Sequence, residues 1–219
     1  MLQKLRWSSE LACYDRAHYC TLILMRLPLS TSQLDKAREF KLGVVAGLKI
    51  SATPSAIVGN LMLWILLSVV AYLLKLSLLS AVIGGFLAMV LHNIADLWHQ
   101  LGHSWAARST GYPMIGVRFG FLGVLSTSVY PADEIPLAPA VHIRRALGGP
   151  TGSLLMSAIA GVIFLTVKSR GFGTLWLLTL WFFLENLLVF TLGVFLPLGF
   201  TDVNTIVHWM RQTKPGDDS

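Results

Sequence analysis

Four long stretches with little or no formal charge restrict what this chain can fold into. Residues 56–74, 76–95 and 146–167 contain no Lys, Arg, Asp or Glu, and residues 171–201 contain only Glu185. As an α-helix, each stretch is long enough to cross the ~30 Å hydrocarbon core of a bilayer. The hydrophobic fraction of 54% and the charged fraction of 13% are unusual for a soluble domain. The sequence therefore predicts a multi-pass integral membrane protein with four spans.

The basic residues are unevenly distributed around these predicted spans. If the N-terminus is cytoplasmic, fourteen of the seventeen Lys and Arg residues lie on the cytoplasmic side, and only Lys75, Lys168 and Arg170 lie outside. This asymmetry is the positive-inside bias of membrane proteins. We therefore expect both termini to be cytoplasmic. The bias also explains the net charge of +6 without a nucleic-acid partner, so the bilayer itself is the predicted surrounding partner.

The chain divides into three predicted parts. Residues 1–55 form a small cytoplasmic or interfacial extension, residues 56–207 form the membrane core, and residues 208–219 form a cytoplasmic tail. The early apolar run at 20–27 is short and contains Arg26, so it does not predict a signal peptide.

Within the extension, residues 33–40 predict a short helix and residues 43–51 an extended segment. Cys13 and Cys20 are the only cysteines. In a reducing compartment they are expected to be free thiols rather than a disulfide.

The loop between the second and third spans predicts β structure. Residues 116–125 are rich in glycine and apolar residues, and the segment 130–136 then turns the chain. Non-helical backbone at membrane depth is tolerated where protein or a water-filled cavity satisfies its polar groups. We therefore predict a substrate-facing hairpin that includes Gly116, Phe119 and Gly120. The predicted fold class is an all-α polytopic membrane protein, with about four transmembrane helices and a membrane-associated β-hairpin between the second and third.

Two histidines near the cytoplasmic end of the second span have the spacing of a metal site. His99 and His103 lie four residues apart, so both imidazoles share one helical face. Asp202 follows the fourth span at the same predicted depth, after a break at Pro197 and Gly199. Two imidazoles and a carboxylate leave a fourth position open for water, as in a catalytic zinc site. The sequence therefore predicts Zn²⁺ bound by His99, His103 and Asp202.

Three other ionisable residues are predicted to support this site. His92 and Asp96 share the helical face of His99 and His103. Asp96 is predicted to hold the tautomer of His99, with a role as an alternative base as the second interpretation. His92 is too far along the helix to bind the same metal. Glu185, an intramembrane carboxyl, is predicted to pair with a buried polar group such as His92.

The motifs resemble those of the site-2 protease family of intramembrane zinc metalloproteases. The resemblance spans about residues 47–207. It rests on three motifs, which are His-Gln-Leu-Gly-His at 99–103, Arg-Ala-Leu-Gly-Gly-Pro at 145–150 and Pro-Leu-Gly-Phe-Thr-Asp at 197–202. In that family a His-Glu-x-x-His helix pairs with an Asn-x-x-Pro-x-x-x-x-Asp-Gly segment. The resemblance implies four core spans, a zinc ion, and hydrolysis of peptide bonds in or near membrane helices.

The chain departs from the family pattern at three positions. Gln100 stands where the family has its glutamate base, Val194 where it has asparagine, and Val203 where it has glycine. A carboxamide cannot take a proton from water, so the ~10²- to 10⁴-fold contribution of a general base is expected to be lost. Gln100 is either native to a divergent branch, which the two valines favour, or an exchange made to trap substrate.

Three functions follow from this pattern. The first is an intramembrane zinc metalloprotease, with Gln100 at the position of the catalytic base. The second is a pseudoprotease that binds transmembrane peptides without cleaving them. The third, ranked last, is a metal-handling transport protein that uses the four polar residues of the second span as a relay. The chain shows no internal repeat of the kind that many transporters have.

Overall fold

Four long apolar helices and one small sheet form the described part of the chain. The computed structural model describes residues 39–199 and 201–212. The predicted helix at 33–40 lies almost entirely outside the described residues, as do both cysteines. Within the described residues the four helices are long and apolar enough to cross a membrane. The predicted fold class and the multi-pass membrane architecture are confirmed.

The first two helices form an antiparallel pair near the N-terminal side of the core. Helix α1 spans Pro54–Leu73 and begins with proline at its first turn, where the missing N–H costs no helical hydrogen bond. Helix α2 spans Leu78–Ser109, and the Ser77 hydroxyl caps its start by accepting from the Ser80 N–H. A Cβ added to Gly85 of α2 would lie 2.2 Å from Ser68 Oγ of α1. Small residues therefore allow close helix contact, as is usual in membranes.

Helix α2 extends well beyond the charge-free stretch that predicted it. The stretch ends at Ala95, whereas the helix continues to Ser109 and carries Asp96, His99 and His103. A charge-free run measures the part of a helix that lies in hydrocarbon, but the helix can continue where protein surrounds its polar residues. Helix α3, Pro139–Val167, likewise starts before the predicted span at residue 146.

The fourth span changes its helical geometry along its length. It begins as helix α4, Thr174–Leu184, continues as a π-helical segment over Glu185–Leu192, and ends in a 3₁₀ turn at Gly193–Phe195. The predicted span continued to residue 201, but the helix ends earlier because Pro197 follows and Gly199 has φ +87°. Helix α5, Asp202–Gln212, then begins in a new direction.

The predicted hairpin belongs to a larger sheet. Strands β1 (Phe40–Val45), β2 (Leu48–Ala52), β3 (Gly116–Phe121) and β4 (Leu125–Val129) pair in that order. The β1–β2 and β3–β4 pairs are antiparallel, whereas β2 and β3 are parallel. Strands β1 and β2 come from the end of the predicted N-terminal extension, so this segment pairs with the hairpin of the core.

The sheet packs against the C-terminal part of α2. Leu48 and Ile50 of β2 and Val117 of β3 are buried with Ala107 of α2 and with Met114, which follows that helix. This contact fixes the sheet beside the turns of α2 that carry the histidines.

Candidate metal centre

Helix α2 presents its polar residues on one buried face. His92, Asp96, His99, Gln100 and His103 all lie on this face and are buried. The spacing of four, three, one and three residues keeps them within one stripe of the helix. An otherwise apolar membrane helix therefore has a continuous polar stripe directed toward α3, β4 and the end of the fourth span.

Three side chains of this region converge on one point. The Nε2 atoms of His99 and His103 lie 3.0 Å apart. Asp202, the first residue of α5, places Oδ2 3.4 Å from His99 Nε2 and Oδ1 3.5 Å from His103 Nε2. The break after Phe195 turns the chain so that this carboxylate lies against the two imidazoles. The structure thus brings together the three predicted metal ligands.

The contacts of the two histidine Nδ1 atoms agree with a cation bound by the Nε2 atoms and Asp202. His103 Nδ1 lies 2.8 Å from the Arg145 carbonyl and 3.2 Å from the Gly149 N–H, and His99 Nδ1 lies 3.0 Å from Ser153 Oγ. A carbonyl oxygen only accepts, so the shorter of the two contacts of His103 Nδ1 favours a proton on that atom, which leaves the lone pair of Nε2 for the centre. A neutral imidazole in this tautomer, a second imidazole and a carboxylate are a donor set that suits Zn²⁺. The residues present therefore fit a divalent metal.

Glycines of α3 allow this close assembly. A Cβ added to Gly149 would lie 2.3 Å from Nε2 of His103 and 2.5 Å from Nε2 of His99. One added to Gly148 would lie 2.4 Å from the Gly102 carbonyl of α2. The Gly-Gly pair of the 145–150 motif therefore lets α3 pass against both histidines, which a larger residue would prevent.

Asp96 and Gln100 contact strand β4 rather than the histidine rings. Ser126 Oγ donates to Asp96 Oδ1 at 2.8 Å. Gln100 Nε2 donates to the Ser126 carbonyl at 3.3 Å, and Gln100 Oε1 accepts from Ser128 Oγ at 2.7 Å. The predicted role of Asp96 in holding the His99 tautomer is wrong, because Ser153 occupies that position at Nδ1. Asp96 is instead directed toward β4.

His92 and Glu185 form a separate buried pair. His92 Nδ1 lies 2.5 Å from Glu185 Oε1, and His92 Nε2 donates to the Val124 carbonyl at 2.7 Å. These contacts connect α2, the start of the π-helical segment and the β3–β4 turn. The pairing predicted for Glu185 with His92 is observed, and it lies outside the group formed by His99, His103 and Asp202.

An apolar cleft of about 610 Å³ opens onto the three ligands. One wall is β4, residues 125–128, together with Asp96 and Gln100. The opposite wall comes from the end of the fourth span and the segment after it, and consists of Leu188, Val189, Phe190, Val194, Leu196 and Leu198. Val194 stands where the family pattern has asparagine, so this wall is apolar at that position.

The hairpin residues predicted to face substrate do not line this cleft. Gly116, Phe119 and Gly120 lie in β3, which is paired on both sides by β2 and β4. A Cβ on Gly120 would lie 1.9 Å from Thr53 Oγ1, and one on Gly116 would lie 2.6 Å from the Lys49 carbonyl. These glycines therefore allow close packing around the sheet, and the strand residues that line the cleft are Phe121 at the end of β3 and residues 125–128 of β4.

A smaller polar cavity of about 270 Å³ also borders His103 and Asp202. Arg145 is buried beside it and forms an ion pair with Glu134, with Arg145 Nη1 2.9 Å from Glu134 Oε2. The Arg145 guanidinium also lies 4.2 Å from the centre of the Tyr130 ring. Hydrogen bonds from Arg145 hold the pKa of the Glu134 carboxyl below its usual range. His103 and Asp202 therefore border both an apolar cleft and a polar cavity.

Several residues of the site carried no signal in the sequence. The polar stripe of α2 is contacted by Ser153 of α3 and by Ser126 and Ser128 of β4. Gly149 allows α3 to lie close to this stripe. Small residues are common where membrane helices pack together, so the residue type of Ser153 or Gly149 alone does not mark a site. The Gly-Gly-Pro motif was the one available indication for Gly149.

Comparison with known proteins supports the architecture. Neither a protein-family model nor a curated protein matches the sequence. Among solved structures, the chain is similar to the site-2 protease from Methanocaldococcus jannaschii, with a TM-score of 0.56 and 19% sequence identity. The similarity covers 82% of this chain and 74% of that chain. At this identity the similarity concerns the fold, and the protein has the fold of a site-2 protease.

Proposed function

We propose that the protein is an intramembrane zinc metalloprotease of the site-2 type, which hydrolyses peptide bonds in or near membrane helices. The observation that carries this proposal is the convergence of His99, His103 and Asp202 on an apolar cleft lined by membrane helices and strand β4. Three ligands leave one coordination position open, which distinguishes catalytic from structural zinc sites. The apolar cleft suits a segment of a substrate's membrane helix.

Each part of the site has a separate role in this proposal. His99, His103 and Asp202 would hold zinc, which when bound supplies a Lewis acid and lowers the pKa of water. Ser153 and the Arg145 carbonyl orient the imidazoles. Edge strand β4 offers backbone groups to an extended peptide, and the apolar wall suits the apolar side chains of that peptide. Asp96 is the carboxylate on the cleft wall that could accept a proton in place of Gln100.

A pseudoprotease is the second candidate function, and the environment of Gln100 favours it. Both ends of the Gln100 carboxamide are hydrogen-bonded to β4, so the side chain at position 100 binds the adjacent strand in this chain. A site of this kind would bind unwound segments of membrane helices without cleaving them. The metal ligands and the cleft would then bind such a segment without hydrolysing it.

Identification of new N-termini in membrane fractions distinguishes the two functions. Cells would express the native full-length chain or the His103→Ala variant, which removes one ligand. Cleavage within membrane helices that requires His103 is the result expected for the protease. Crosslinked capture of membrane helices by the native chain, without new termini, would replace the protease with the pseudoprotease. Absence of both cleavage and capture would contradict both functions.

A further inference from the structure

The backbone of β4 directs alternate polar groups away from the sheet. The Phe119 carbonyl of β3 accepts from the Thr53 N–H at 3.0 Å, so the polar backbone groups of Phe119 face β2. Ser126 lies opposite Phe119 in the β3–β4 register. Phe119 and Ser126 are therefore a non-hydrogen-bonded pair of the antiparallel ladder. In such a pair, the N–H and C=O of Ser126 point away from β3, to the outer edge of β4. Ser128, two residues on and opposite Val117, has the same orientation.

Gln100 contacts this outer edge with both ends of its carboxamide. Its amide nitrogen donates to the outward Ser126 carbonyl, and its oxygen accepts from the Ser128 hydroxyl. The Gln100 side chain is buried, so these contacts replace water at the edge. The donor end meets an acceptor and the acceptor end meets a donor, so the carboxamide is satisfied at both ends.

We infer that Gln100 is a positioning residue, whose carboxamide holds edge strand β4 against helix α2 beside the metal ligands. Together with the Ser126 hydroxyl on Asp96, three hydrogen bonds join one turn of α2 to two residues of β4. Ser128 borders both the apolar cleft and the polar cavity, and it shares these walls with His103 and Asp202. The position of β4 therefore determines where an extended peptide lies relative to the ligands.

A carboxylate at position 100 would fit these surroundings less well. It would still accept from Ser128, but it has no proton to donate to the Ser126 carbonyl, so two oxygens would face each other. It would also add a negative charge one turn from Asp96 on the same face. Glutamate at this position would therefore weaken the attachment of β4.

Hydrogen exchange of the full-length protein in detergent micelles tests this inference. Gln100→Met keeps the approximate volume but makes neither hydrogen bond, and Gln100→Glu keeps only the bond from Ser128. Loss of two buried hydrogen bonds should raise exchange of the β4 amides by about tenfold or more. Gln100→Glu should change exchange in the same direction, and Ser128→Ala should do so to a smaller extent.

Asn93 supplies a matched control on the same helix. Its amide nitrogen lies 2.5 Å from Asn60 Oδ1, so Asn93→Leu breaks a contact of α2 with α1 instead of β4. The expected result is faster β4 exchange in Gln100→Met but not in Asn93→Leu. Cobalt affinity of Gln100→Met, followed by absorption, should stay within about twofold of the native value because the three ligands are unchanged.

Two results would overturn the inference. One is native β4 exchange in Gln100→Met, and the other is a rise that spreads equally over all helices, which would show that Gln100 acts through global stability. The inference deepens the proposed function and relies on it for the peptide that β4 receives. Its readout involves neither cleavage nor capture, so a failure here is distinguishable from a failure of the proposed function.

Discussion

The single residue that most limits the metal centre is Gly149. Its Cβ position lies 2.3 and 2.5 Å from the Nε2 atoms of His103 and His99, so an added methyl group would occupy the space at which the ligands converge. Alanine is a better helix former than glycine, so Gly149→Ala should leave α3 helical. We expect it to lower zinc or cobalt affinity by about 10- to 100-fold.

Metal titration of the purified protein in micelles measures this effect. Gly161→Ala in the same helix is the control, because its Cβ would lie 3.1 Å from the movable ring of Phe183 and far along α3 from the histidines. Native affinity in Gly149→Ala would show that the ligands do not meet beside this residue.

Ser153 controls the orientation of one ligand. Its hydroxyl lies 3.0 Å from His99 Nδ1, and groups at this position fix the tautomer and ring angle of a metal-bound imidazole. Ser153→Ala should therefore lower metal affinity by about 10- to 100-fold. Ser157→Ala changes another buried serine of α3, one turn further along, and should leave the affinity unchanged. Equal metal affinities for the two variants would show that Ser153 does not orient His99 for metal binding.

The residues of the centre differ in how well the sequence predicted them. His99 and His103 followed from helical spacing, and Asp202 from the Pro-Gly break before it, since both are local patterns. Ser153 and Ser126 could not be predicted in this way, because their contacts cross between elements that lie far apart in the chain. The role of Asp96 was mispredicted for the same reason, as its partner Ser126 comes from a strand.

At the scale of elements, the position of Asp202 depends on how α5 is held. The helix begins with this ligand, and Trp209 near its other end stacks on His142 of α3, with ring centres 4.0 Å apart and planes at 2°. Loss of the stack should let α5 move and carry Asp202 away from the histidines. We expect Trp209→Ala to lower metal affinity by about tenfold.

An aromatic replacement separates stacking from general packing in this prediction. Trp209→Phe retains a ring over His142 and should recover most of the affinity. Trp105→Ala is the control, because Trp105 is a tryptophan of α2 with 77% of its surface exposed. If Trp209→Ala and Trp105→Ala bind metal alike, α5 does not depend on the stack for its position.

The sequence predicted those helices and strands whose formation depends on neighbouring residues in the chain. Three charge-free runs and a fourth interrupted only by Glu185 located the four spans, since the cost of burying charge in hydrocarbon acts on each segment separately. The parallel pairing of β2 with β3 was not predicted, because it joins residues 49–52 to residues 116–119 across two helices. The π-helical segment at Glu185–Leu192 also depends on tertiary contacts, including the pair of Glu185 with His92.

At the scale of the whole molecule, the charge distribution predicts one orientation in the membrane. The four spans of the described residues predict that both termini lie on the same side, and the excess of Lys and Arg predicts that this side is the cytoplasm. The α1–α2 turn at Lys75 and the turn after α3 at Lys168 are then exposed outside. The metal centre, at the ends of α2 and the fourth span, would lie toward the cytoplasmic face.

Cysteine labelling in intact cells tests this orientation. Cys13 and Cys20 lie before the first span, so a membrane-impermeant maleimide should label the native chain only after the membrane is opened. With both replaced by serine, Lys75→Cys and Lys168→Cys should label in intact cells, whereas Arg211→Cys should not. The opposite pattern would place the metal centre toward the outer face, where thiols are oxidised and substrates would approach from outside. The orientation therefore decides which compartment supplies water and peptide to the site.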